Sequence, residues 1–87
     1  MELVDVLQRC RVLCLGARDA TYASRSASEV VAALELEINA IESGKEPNRE
    51  ELKSLFAPTG DLQETSIVNN CVEEYLFLSS RFDELIG

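Results

Sequence analysis

Val68, Cys71, Tyr75, Leu78, Phe82 and Leu85 follow one another at intervals of 3, 4, 3, 4 and 3 residues. Alternating threes and fours return to one side of a helix, which turns about 100° per residue, whereas a strand changes side at every step. The spacing predicts a long terminal helix from Val68 nearly to the end of the chain, with Val72, Ser79 and Ile86 flanking its stripe. Fewer than three heptads are present, so the stripe is expected to face the chain's own core rather than an intermolecular coiled coil.

Three more helices are expected upstream. Leu3, Val6, Leu7, Cys10, Leu13, Cys14 and Ala17 share one helical stripe, with Gly16 near its end. Ser26-Ala27-Ser28-Glu29 matches a capping box and opens a second helix over residues 27 to 43, with Val30, Val31, Leu34, Ile38 and Ile41 on one face and Gly44 closing it. Asn48 caps a third, short helix carrying Leu52, Leu55 and Phe56, which Pro58 and Gly60 end. Residues 61 to 65 read as a turn or a single helical turn. Residues 18 to 25 lack apolar rhythm and read as a connection whose Tyr22 packs on the bundle. The expected fold is all-α, a compact three- or four-helix bundle in one domain spanning 1–87, with no strand-like alternation or repeat.

A chain of 87 residues with 46% hydrophobic residues, four glycines and two prolines fills a small core without a staple. Its longest apolar run, Val30 to Leu34, is five residues, far short of the ~20 a membrane-spanning helix needs. Glu2 stands where a signal peptide would be basic, so no secretory leader is expected. Three cysteines, Cys10, Cys14 and Cys71, cannot all pair internally, which fits a reducing, cytoplasmic setting.

The net charge of −8 is unevenly spread. Residues 1 to 28 carry four arginines against three acids, and residues 29 to 87 carry four basic against thirteen acidic groups. Such a surface repels nucleic-acid phosphates and anionic lipid, and it attracts a basic protein. Catalysis finds little to work with: there is no histidine, and the glycines at 16, 44, 60 and 87 stand alone rather than in a phosphate loop. The cysteines lack zinc-site spacing and read as core fillers, and the acids Glu35, Glu37, Glu42, Glu46, Glu50 and Glu51 form no EF-hand pattern and read as a solvated face. No enzyme activity, cofactor or metal is expected.

Two irregularities point instead to binding. Phe77 lies nearly opposite the stripe of the last helix, with Glu73, Glu74, Arg81 and Glu84 as its helical neighbours, which makes it a candidate hot spot unless the short third helix or residues 18 to 25 cover it. Val4, Val12 and Leu15 on the first helix and Leu36 on the second also stand off their stripes, as a second core layer or a homodimer contact. The candidate partner-binding set is Phe77, Glu73, Glu74, Glu84, Glu35 and Glu42.

Ser66-Ile67, read as a helix start, with Phe82-Asp83 downstream, resembles acyl carrier proteins, which implies an acyl-carrier-like or adaptor role through Ser66. Thr65 and Ile67 replace the flanks of that family's Asp-Ser-Leu motif. As a short, cysteine-tolerant, strongly acidic bundle the chain also resembles bacterial immunity proteins and antitoxins. That likeness implies an inhibitor that binds and neutralises a basic toxin domain.

Overall fold

The computed structural model describes residues 1–86, in five helices: α1 (Leu3–Cys14), α2 (Ala27–Glu42), α3 (Arg49–Phe56), α4 (Asp61–Val68) and α5 (Val72–Ile86). The all-α bundle expected from the periodicities is the architecture observed, with no strand among the described residues. α1 lies between α2 and α5: Arg11 Nε reaches Glu35 Oε2 of α2 at 2.8 Å, and Arg9 reaches Glu74 of α5 at 3.9 Å. The short helices α3 and α4 close the bundle, α4 packing against each of the others. Val6, Leu7, Cys10, Val30, Leu34, Leu52, Leu55, Leu62, Tyr75, Leu78 and Phe82 fill the interior. The Phe56 ring stacks on Phe82 at a centroid distance of 4.0 Å and 4° between planes.

Helix ends follow the local chemistry. Ser26 and Glu29 form the full capping box on α2, and Asn48 Oδ1 accepts from the Glu51 backbone N–H at 3.1 Å. At the far end of α2, Gly44 adopts φ 80° while its N–H and that of Lys45 donate to the carbonyls of Ile41 and Ala40, at 3.0 and 2.8 Å. This is a Schellman closure, whose left-handed position suits glycine. Gly60 is needed for a different reason: a Cβ there would stand 2.8 Å from the Ala57 carbonyl oxygen, where the chain folds back between α3 and α4.

The terminal seam is divided between two helices, and this is the main departure from expectation. Asn70 adopts φ 58°, its N–H donating to Ile67 and that of Cys71 to Ser66, so the same Schellman geometry ends α4 with asparagine in glycine's place. The Cys71 carbonyl then accepts from Tyr75 and starts α5. Residues 61 to 65, expected as a turn or a single helical turn, therefore belong to a two-turn helix running to residue 68, and Val68, expected to open the terminal helix, lies in α4.

The stretch between α1 and α2 is held by polar anchors rather than apolar ones, which is why periodicity could not describe it. Arg18 and Asn69 exchange two hydrogen bonds of 2.9 Å, and Asp19 Oδ1 accepts from the Ala27 N–H at 2.7 Å. Buried Asp61 accepts from the Ser24 N–H at 2.7 Å and from Arg25 Nη1 at 3.0 Å, while the other arm of Arg25 pairs with Glu51 of α3. With its neighbours tied down by their polar groups, Tyr22 projects outward at 85% exposure rather than packing on the bundle. Glu37 also departs from its expected place on a solvated face. It is buried, and its Oε1 accepts the Asn48 N–H at 2.8 Å, tethering the start of α3 to α2.

Candidate functional site

α5 buries Tyr75, Leu78 and Phe82 and turns Glu73, Glu74, Leu76, Phe77, Asp83 and Glu84 outward. Phe77 is 65% exposed, so neither α3 nor residues 18 to 25 cover it. Leu76 beside it is 50% exposed, and Ile67 at the end of α4 is 47% exposed. Leu76 and Ile67 were missed by the sequence reading. Leu76 directly precedes the off-stripe Phe77, a signal that was present, whereas Ile67 is revealed only by the break at Asn70.

The acids around Phe77 differ in how far they are neutralised. Glu84 is 3.4 Å from Arg81 Nη1, and Arg81 Nε is further occupied by the Met1 carbonyl at 3.0 Å. Glu74 has a long, exposed contact of 3.9 Å to Arg9. Exposed pairs of this kind contribute ~0–1 kcal/mol and leave most of the local field in place. Glu73 and Asp83 have no ion-pair partner among the described residues. Three of the four acids on this face are thus free or loosely paired.

Glu35 and Glu42 do not join this group. They stand on α2, separated from α5 by α1, and both are engaged with α1: Glu35 with Arg11 at 2.8 Å, Glu42 with Gln8 Nε2 at 3.4 Å. They border a groove of about 470 Å³ with Val12 and Ile38. Val12 and Leu36 are exposed rather than buried in a second layer, as is Leu15, while Val4 is half-buried against the core. The candidate set therefore divides into four residues on α5 and two on α2.

Ser66 does not stand at a helix start. It lies in the last turn of α4, 4% exposed, with Oγ donating to the Gln63 carbonyl at 2.7 Å. Neither the exposure nor the helix N-terminus that a modified carrier serine needs is present at this position.

Cys10 and Cys14 are buried and Cys71 is half-buried. All three border a cavity of about 10 Å³ with Thr65, Ser66 and Tyr75. That is room for about one water at most. Among the described residues no group of three or more histidine, cysteine or acidic side chains is placed to hold a metal ion. Burial raises all three thiol pKa values, that of Cys14 to about 11, with the neighbouring Cys71 adding to it. Burial likewise pushes the Tyr75 phenol up to about 12, against an opposing effect of Ser79, although among the described residues Tyr75 Oη meets no partner in hydrogen-bonding geometry. These groups are thus held neutral and are poor nucleophiles at neutral pH.

The raised values carry a pH prediction. A group that binds its proton more tightly when folded adds stability that is complete below its unfolded pKa and is lost as pH rises towards the folded value. Stability should therefore be flat near neutrality and fall as pH rises above the ordinary thiol value of 9.0, through about 11, where Cys14 ionises, and on towards about 12, where Tyr75 does. Urea melts across that range check this, and Cys14→Ala should flatten the decline.

No family model matches the chain, and neither a curated protein nor a solved structure does. Among the described residues no helix is long and apolar enough to cross a membrane.

Proposed function

We propose that this chain is an acidic protein-binding module that covers a basic surface of its partner, in the manner of an immunity protein or antitoxin-like inhibitor of a basic toxin domain. The observation that carries this reading is Phe77, a large aromatic 65% exposed on a helix whose packing does not require it, surrounded by carboxylates. Exposed aromatics that become desolvated on binding concentrate interaction energy, and a ring of charge around them excludes wrong partners. The net charge of −8 draws a cationic partner in by long-range attraction and opposes the approach of a second copy of the same chain. Masking a cationic active site needs no chemistry from the inhibitor.

The first test is co-expression and co-purification with the product of the neighbouring gene. A bound product whose toxicity the chain relieves supports the inhibitor reading; a neighbour that is neither toxic nor bound removes it. Charge reversal then examines the mechanism. Glu73→Lys should slow association several-fold at low salt and flatten its salt dependence, with little change in dissociation. Glu84→Lys should do less, because Arg81 already screens Glu84. Equal effects of the two variants would contradict the assignment of Glu73 as the free charge of this face.

A further inference from the structure

The Schellman turn at Asn70 does more than end α4. By breaking the chain between two helices it opens a groove of about 450 Å³ lined by Ile67, Asn70, Cys71, Val72, Glu73 and Glu74. Ile67 stands on its rim 47% exposed, Val72 is half-buried in it, and Leu76 follows Val72 one helical turn along α5, on the flank next to Phe77. The exposed Leu76 thus lies one helical turn from this groove, and Phe77 one turn beyond Glu73 in its wall.

Resting on the protein-binding reading of α5, we propose that this groove is the anchor pocket of the face. It takes one aliphatic side chain from a partner segment in which that side chain is flanked by lysine or arginine. The apolar preference comes from Ile67 and Val72 and the basic flanks from Glu73 and Glu74. The two acids also serve α5 itself, since they sit in its first turn where the helix dipole favours negative charge. Ile67 has no such internal role: it is outside the buried core, and half of it faces solvent. An apolar residue on the rim of a groove walled by one carboxylate with no ion-pair partner among the described residues and another with one long contact complements an aliphatic side chain set among cations. A purely cationic segment would leave Ile67 and Val72 wet, and an acidic one would be repelled.

Two blocked pentapeptides test this on the full chain by amide-detected NMR titration, Lys-Lys-Leu-Lys-Lys and Lys-Lys-Ser-Lys-Lys, which have equal charge and differ only in the central side chain. The leucine peptide is expected to shift the amides of Ile67 and Asn70 to Glu74 and to bind about tenfold more tightly than the serine peptide, the advantage of burying one aliphatic side chain. Ile67→Ser should abolish that advantage and Ile67→Leu should retain it, with thermal melts confirming that both variants fold. Equal binding of the two peptides, or shifts centred away from the groove, overturns the pocket. The outcome is separable from the broader reading: if the peptides fail but Glu73→Lys still slows association with the natural partner, the pocket falls and the binding face stands.

Discussion

Phe82→Ala is expected to lower the unfolding free energy by about 3–5 kcal/mol, the range for deleting a buried phenylalanine that leaves a cavity. Phe82 is 2% exposed, and its ring lies parallel to that of Phe56 at 4.0 Å, so truncation removes both its own buried surface and the partner of a second aromatic. Phe56 is the last residue of α3, a helix of two turns, and two-turn helices are not stable without tertiary support. Collapse around the missing ring would require α3 to move, yet Asn48 at its start is tethered to buried Glu37. The cost should therefore fall in the upper part of the range. Urea melts should show a lower midpoint at unchanged slope. A loss under ~1 kcal/mol would mean that the seam of α5 is not part of the core.

Asp61→Ala is expected to cost about 2–4 kcal/mol. The residue is 7% exposed and joins two parts of the chain, accepting from the Ser24 backbone at 2.7 Å and from Arg25 at 3.0 Å while itself belonging to the first turn of α4. Removing one partner of a buried ion pair commonly costs 3–5 kcal/mol, or about that, because the other charge is left unmatched. Here Arg25 keeps Glu51 and is about a quarter exposed, which lowers the figure. The Ser24 N–H, by contrast, loses its acceptor outright. The double variant Asp61→Ala/Arg25→Ala should be markedly less destabilised than the sum of the singles, and a double-mutant cycle measures that coupling. Strict additivity would show that the two residues do not act together in holding the stretch between α1 and α2.

What was legible in the sequence was whatever rests on apolar period and cap chemistry. The stripes of α1 and α2, the Ser26 and Asn48 caps and the Gly44 closure all depend on interactions within about five residues, so the local sequence contains them. What was not legible depends on partners far away in the chain. Asn70 reads equally as a helical residue or a left-handed cap, and a run whose threes and fours continue across it hides the break. Glu37 looks like any helical acid until Asn48 is folded over it, and Tyr22 looks like a core aromatic until Arg18 and Arg25 are seen to fix its segment by polar contacts. At the candidate site the off-stripe position of Phe77 was readable, because burial of the opposite face follows from the seam. The pairing of Glu35 and the exposure of Ile67 were not, since each is set by a neighbour that only the fold supplies, whereas Arg81 and Glu84 stand three residues apart on one helix.

If the outer face of α5 binds a partner and does not hold the fold together, Phe77→Ala, measured for stability and affinity on the same sample, separates the two properties. The unfolding free energy of the variant is expected within ~0.5 kcal/mol of the parent, as for an exposed residue. Binding is expected to weaken by about 2 kcal/mol or more, roughly a thirtyfold rise in Kd, carried mainly by faster dissociation. A variant that unfolds while the folded remainder binds with unchanged affinity would contradict both expectations, because Phe77 would then belong to the core and the binding face would lie elsewhere.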